Sequence, residues 1–190
     1  MKSHFYAMLF RMKNIYRWGL MRNSRQENLS EHSLEVAFIA HALALIANRR
    51  LGENLDANAI ATAAMFHDTS EIITGDMPTP IKYYNADIKS VYKDIENVAQ
   101  DKLISLLPED LREDFIPLYK PDKSEAKIIK AADKISALIK CIEETESGNR
   151  EFCAAKESTL AAIKAMGLPE ADIFLNEFID SFYMAIDDMK

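Results

Sequence analysis

Met65-Phe66-His67-Asp68-Thr69-Ser70-Glu71 sets an imidazole beside a carboxylate at the point where an apolar helix ends. The run before it, Ala57 to Phe66, is nearly all Ala, Ile and Met behind a capping Asp56, which predicts a helix at the centre of a bundle. A His-Asp pair alone often satisfies itself by hydrogen bonding inside a core. It gains meaning from distant partners. His32 falls in the first turn of the preceding helix, and Asp133 lies in the apolar run Ile128-Ile129-Lys130-Ala131-Ala132-Asp133-Lys134-Ile135. A carboxylate among isoleucines and alanines is costly without a compensating positive charge, and a divalent cation supplies one. If the helix continues one turn past His67, Glu71 joins the same neighbourhood.

Helical patterning extends along the rest of the chain. Phe5, Met8, Leu9, Met12, Ile15 and Tyr16 share one face of an amphipathic helix over 4–17, ended by Gly19. Core packing is its ordinary use, and a membrane-surface role for its basic face is the alternative. Leu29-Ser30-Glu31-His32-Ser33-Leu34 starts a second helix that runs to about Arg49, with Ser30 as cap and Leu29 against Leu34 as a staple. His41 falls on the opposite face from His32, so the two cannot share a site, and His41, like His4, reads as structural.

Thr74-Gly75-Asp76-Met77-Pro78-Thr79-Pro80 then breaks the helix into a loop beside the His-Asp pair, a natural substrate wall. Further helices are expected over 86–107, from Pro108 to about Ile116, over 124–147 closed by Gly148, and over 150–166 and 170–188. The 86–107 stripe comprises Ile88, Val91, Tyr92, Ile95, Val98, Ala99 and Leu103, and 117–122 reads as a connection. Phe174, Phe178, Phe182 and Tyr183 read as core or dimer surface. No repeat or linker divides residues 1–190, so a single all-α domain is expected.

Composition agrees. With 5 Gly and 6 Pro in 190 residues, strand-and-turn architectures lack their usual punctuation. A net charge of -7 and a pI near 5.2 disfavour binding to a nucleic acid polymer through a broad basic face. Positive charge collects instead in the N-terminal segment, where Lys2, Arg11, Lys13, Arg17, Arg22 and Arg25 precede the first acid, Glu27. Cys141 and Cys153 have no metal-binding spacing and are expected to stay reduced. No uninterrupted apolar run approaches the ~18 residues of a membrane span, and no signal peptide is evident, so a soluble cytoplasmic protein is expected.

His32, His67, Asp68 and Asp133 together offer two imidazole nitrogens and two carboxylates from separate helices. That set favours Mn, Fe, Co, Ni or Zn over Ca, and leaves coordination positions for water and a substrate oxygen. The order His, then His-Asp, then Asp resembles the metal-binding pattern of HD-domain metal-dependent phosphohydrolases. Arg17-Trp18, Asn28-Leu29-Ser30-Glu31-His32-Ser33, His67-Asp68-Thr69-Ser70-Glu71 and the Thr74 to Pro80 loop together resemble the 5′-deoxynucleotidase branch of that superfamily, across essentially the whole chain.

The resemblance implies a compact HD-domain bundle that removes phosphate from deoxyribonucleoside 5′-monophosphates, using one divalent ion per subunit, cobalt and manganese among those accepted, to activate water toward phosphorus. It implies His32, His67, Asp68 and Asp133 as metal ligands, and His67 and Asp133 also at the substrate. Arg17 would orient the phosphate, Trp18 would face the sugar, and Asp76, Met77, Pro78 and Thr79 would line the nucleotide site. Glu71 would serve in proton transfer. A homodimer is implied as well. The rival readings are another nucleotide phosphohydrolase with the same ligands, such as a cyclic-nucleotide diesterase or triphosphate hydrolase, and a metal-dependent nucleotide sensor without turnover.

Overall fold

The computed structural model describes residues 2–82 and 84–189, and their regular structure is helical. Among the described residues no strand occurs, only one antiparallel bridge between Tyr16 and Asn28. Helix α1 spans Phe5–Leu9 and runs into a 3-10 turn over Phe10–Asn14. The long helices are α2 (Leu29–Leu51), α3 (Ala57–Phe66), α6 (Ala86–Ser105) and α8 (Lys123–Glu146), with short α4 (Glu71–Thr74), α5 (Thr79–Lys82) and α7 (Arg112–Tyr119) between them. Helices α9 (Cys153–Ala165) and α10 (Pro169–Phe178) close the bundle.

Helix α2 is central, packing on α3, α8 and α10. Its Val36, Ala40, Leu43, Ala44 and Ala47 are all 0–1 % exposed, and the alanines let Ile60 of α3 and Ile135 and Ile142 of α8 approach closely. By length and composition α2 is apolar enough to cross a membrane, but 56 % of its apolar window is buried inside the bundle. The run is not uninterrupted, since His41 divides it and Asn48, Arg49 and Arg50 end it. A second cluster of Phe5, Leu103 and Leu107, joined by Phe66 and Phe115, fixes α1 against α6 and α7.

Capping settles the ends. Asn28, not Ser30, caps α2 by accepting from the Ser30 and Glu31 amides, and Asp56 caps α3 in the same way, as expected. Asp122 and Glu125 form a reciprocal capping box that starts α8. Gly52 and Gly148 follow α2 and α8 in the left-handed region that favours glycine.

Several expected boundaries move. The N-terminal helical segment ends at Asn14 instead of reaching residue 17, because residues 15–17 extend to bond with 27–29: the Arg17 amide donates to the Glu27 carbonyl and the Leu29 amide to the Ile15 carbonyl, both at 3.0 Å. Trp18 then takes φ 60. Thr79-Pro80 does not end regular structure but opens α5, since proline fits a first helical turn. Pro117, expected in a connection, sits inside α7, and Lys120 still donates to Ile116 at 3.0 Å. The α6 stripe is only half buried: Tyr92, Ala99 and Leu103 pack inward, whereas Val91, Ile95 and Val98 stay 48–68 % exposed. Helix α10 stops at Phe178 and continues as 3-10 turns, leaving Phe178, Phe182 and Tyr183 half-exposed around a buried Phe174.

The segment between Trp18 and α2 is anchored by one buried carboxylate. Glu144 of α8, 1 % exposed, accepts from the Ser24 amide at 2.9 Å, the Ser24 hydroxyl at 2.7 Å and Asn149 Nδ2 at 2.8 Å, and pairs with Lys140. Burial opposes its charge, but Lys140, Ser24 and Asn149 outweigh it and hold its pKa down to about 2, from an ordinary 4.5. A depressed carboxylate contributes stability above its unfolded pKa and loses it as pH falls through the folded one. Glu144→Gln is therefore expected to destabilise the protein by roughly 2–3 kcal/mol at pH 7, with the gap narrowing below pH 4.5 and nearly closing at pH 2, read from urea midpoints of both proteins across that range.

Candidate metal and nucleotide site

Two helix ends and one helix middle bring the site together. His32, fully buried in the first turn of α2, faces Asp133 from the middle of α8 and the His67-Asp68 pair in the turn that follows α3. His32 Nε2 lies 3.3 Å from Asp133 Oδ1 and 3.7 Å from Asp68 Oδ2, and His67 Nε2 lies 3.1 Å from Asp68 Oδ2. One ligand atom from each of His32, His67 and Asp68 falls within 4.8 Å of the others.

The chemistry of these donors fits a cation. His67 Nδ1 is 2.8 Å from the Ala64 carbonyl, which can only accept, so the proton belongs on Nδ1 and Nε2 presents a lone pair. Both His32 Nε2 and His67 Nε2 are buried without a hydrogen-bond partner, and both are turned toward carboxylate oxygens. Converging lone pairs and carboxylates repel unless a positive charge lies among them, so His32, His67, Asp68 and Asp133 suit a divalent ion. Helix α3 stops at Phe66, and residues 67–70 form turns before α4. This turn brings Glu71 close by a route other than the expected helical continuation.

Around this centre the charges are arranged by burial. Arg17 extends over the carboxylates, with Nη1 3.3 Å from Asp68 Oδ2 and Nη2 4.0 Å from Asp133 Oδ1. Burial works against its charge, but Asp68, Asp133 and Glu27 overcome that and raise its pKa. Burial likewise opposes ionisation of Asp68 and Asp133, but Lys130 beside Asp133 and Arg17 beside Asp68 hold both below the usual carboxylate range. Glu71 behaves oppositely. It is 3 % exposed, its Oε2 has no hydrogen-bond partner, and burial with the neighbouring Asp68 and Asp76 pushes its pKa up to about 9. Lys82 Nζ stands 3.9 Å from Glu71 Oε1 and 3.0 Å from Glu96.

A cleft of about 390 Å³ opens from the centre and is walled by Arg17, Trp18, Glu71, Asp76, Met77, Pro78 and Pro80, with Asp68 and Asp133 at its base. Ten of the eleven expected positions are thus brought together; Thr79 heads α5, and its side chain lies outside the described ones. A second cleft of about 630 Å³ on the α6–α7 side reaches the same His67, Asp68 and Asp133. Lys82 and Lys130 border both clefts. Their roles went unread because lysines at helical spacing ordinarily solvate a surface. Glu27, 7 % exposed, also borders the centre, and its one mark in the sequence is its place as the first acid after six basic residues.

Known proteins share this chain's sequence and fold. The family described as 5′-deoxynucleotidase YfbR-like matches residues 4–182. A 5′-deoxynucleotidase of Vibrio vulnificus strain YJ016 is 50 % identical over 192 residues, covering 100 % of this chain and 99 % of that protein. Among solved structures, an HD-domain phosphohydrolase from Listeria innocua has a TM-score of 0.81 at 24 % identity, covering 94 % of this chain and 88 % of that one. The cyanophage S-2L HD phosphohydrolase DatZ, bound to dA and one catalytic Zn2+ ion, has a TM-score of 0.66 at 18 % identity, covering 93 % and 95 %. The two structures speak for the fold. The match from residue 4 to 182 and the half-identical relative of equal length speak for descent: this chain belongs to the YfbR-like 5′-deoxynucleotidase family.

Proposed function

We propose that this chain, acting as one catalytic domain over 1–190, hydrolyses deoxyribonucleoside 5′-monophosphates to deoxyribonucleoside and inorganic phosphate. The carrying observation is the convergence of His32, His67, Asp68 and Asp133, of which Asp68 and Asp133 reach a cleft whose wall holds Arg17 and Trp18. His32, His67, Asp68 and Asp133 would hold the ion. A divalent cation bound there supplies Lewis acidity, drawing charge from a phosphoryl oxygen and making water a competent nucleophile at neutral pH. DatZ carries one catalytic zinc, which supports one ion per subunit here, with cobalt and manganese also compatible with the two-nitrogen, two-carboxylate set.

The chain's own groups do the rest. Arg17, permanently charged, presents its guanidinium to phosphate oxygens and stabilises the charge that grows on them. Glu71, protonated below about pH 9, can give its proton to the departing 5′ oxygen. Trp18, Met77 and Pro78 make a close apolar wall against the sugar, where an extra 2′-hydroxyl meets carbon instead of a hydrogen-bond partner. Asp76 sits on the same wall and is reached by the Trp18 backbone.

The finer setting follows the same reading. Exposed Val91, Ile95 and Val98 on α6 offer a homodimer an apolar face to bury, and free Cys141 and Cys153 suit a reducing cytoplasm. Phosphate release measured on matched deoxyribonucleoside and ribonucleoside monophosphates, before and after chelation and metal replacement, tests the activity. Metal-restored release of inorganic phosphate with a strong deoxyribose preference is expected. Pyrophosphate or triphosphate release, or opening of a cyclic phosphodiester only, would favour the rival hydrolases, and tight nucleotide binding without turnover would favour a sensor.

A further inference from the structure

We propose that Glu27 is a positioning residue that ties the metal centre to the sugar wall through a single buried carboxylate. The inference rests on the function proposed above and deepens it. Glu27 Oε2 accepts from Trp18 Nε1 at 2.8 Å, and Oε1, which has no hydrogen-bond partner of its own, pairs by charge with Arg17 Nε at 3.2 Å and faces His32 Nδ1 at 3.1 Å. Three side chains with three different tasks thus meet one carboxylate that is 7 % exposed.

Two of those groups can only donate. The third, His32 Nδ1, donates in one tautomer and not in the other. Ser136 Oγ, 3.2 Å from the same Nδ1, spends its own proton on Glu35 Oε2 at 3.2 Å and so also offers His32 an acceptor. Glu27 and Ser136 therefore both call for the proton on Nδ1. This leaves Nε2 with its lone pair directed at Asp68 and Asp133, the orientation that a ligating imidazole needs.

The backbone is built to deliver Glu27 to that place. The Tyr16–Asn28 bridge and the Arg17 amide to Glu27 carbonyl bond set residue 27 directly across from Arg17. Trp18 pays for this with φ 60, an unfavourable conformation for a bulky side chain that persists only where surrounding contacts over-determine it. The indole bond to Glu27 and the Asn23 Nδ2 bond to the Trp18 carbonyl at 3.3 Å supply those contacts. Disturbing the wall should therefore be felt at the ion, although Trp18 ligates nothing.

Trp18 is the single tryptophan, so its emission reports its own environment. The test titrates metal by calorimetry into chelator-stripped wild type, Glu27→Gln and Trp18→Phe, with Trp18 emission and acrylamide quenching recorded for the first two. Glu27→Gln keeps the shape but sets an amide donor against donors. It is expected to weaken cobalt or manganese affinity by about 10–100-fold, to shift Trp18 emission to longer wavelength and to make it easier to quench. Trp18→Phe is expected to bind metal more weakly than wild type. Wild-type affinity in Glu27→Gln, or unchanged Trp18 emission, would overturn the proposal. Should Glu27→Gln fail to fold, Trp18→Phe decides alone, and wild-type metal affinity there removes the link between wall and ion. Phosphate release by the same wild-type preparation separates the two readings: an inactive or metal-refusing wild type counts against the function, whereas an active one with an indifferent Glu27→Gln counts against Glu27.

Discussion

Alanine at Asp133 is expected to leave the purified protein with little bound metal and to lower phosphate release from a deoxyribonucleoside monophosphate by at least about 10³-fold. The size follows from charge. Two unit charges 4 Å apart are worth about 4 kcal/mol at the effective dielectric of a protein surface, and a carboxylate against a divalent ion is worth more. Each 1.4 kcal/mol is tenfold in affinity, so losing this one ligand costs the ion several orders of magnitude. The remaining charges worsen the loss: Lys130 Nζ, now 2.6 Å from Asp133 Oδ2, and Arg17 would stay beside a site stripped of half its carboxylates. The fold should tolerate the change, because the Asp133 side chain is 16 % exposed and faces the cleft, while neighbouring Ala132 and Ile135 carry the packing of α8. Elemental analysis and phosphate release on the same samples, with helicity as the folding control, measure both effects. Metal content equal to wild type would remove Asp133 from the ligand set.

What made Asp133 readable in the sequence was its cost, a lone acid in the apolar face of a helix. His32 and the His67-Asp68 pair are marked instead by their places at a helix start and a helix end, and the Asp56 cap with its apolar run gives α3 its full extent from Ala57 to Phe66. Arg17 was misplaced for the opposite reason. Its neighbours keep a helical period through Tyr16, but two backbone bonds across the loop, to Glu27 and from Leu29, displace local preference, and such a pairing leaves no apolar period to read. Glu27 is hidden in that way too: its meaning comes from three side chains that are near it only after the chain doubles back. The α6 stripe shows the limit of periodicity from the other side, since a regular apolar row announces a surface to be covered without saying that this chain covers it.

Glutamine at Glu71 should cut turnover by about 10²–10⁴-fold while leaving metal content and substrate binding near wild type. Asp76 is raised as well, but Glu71 carries the large upward shift: burial comes first, then the repulsion of Asp68 and Asp76, against a weaker pull from Lys82 and Arg17. A carboxyl with a pKa about 9 holds a proton through the neutral range and can deliver it to a leaving alkoxide, which aqueous carboxylic acids at pH 7 cannot do. The sign of the pH dependence follows. Activity that needs the protonated form persists below the pKa and fades as pH rises through it. Loading a cation beside Asp68 offsets part of that residue's repulsion, so the alkaline limb of the metal-loaded enzyme should lie at or below pH 9, and Glu71→Gln, having no proton to lose, should lack that limb altogether. The amide keeps the volume of the carboxyl, so the comparison isolates the proton. Profiles of kcat and kcat/KM from pH 5 to 10 decide it. An alkaline limb retained unchanged in Glu71→Gln assigns that limb to another group, and a falling acid limb lost with Glu71 would make it a base that must first be deprotonated.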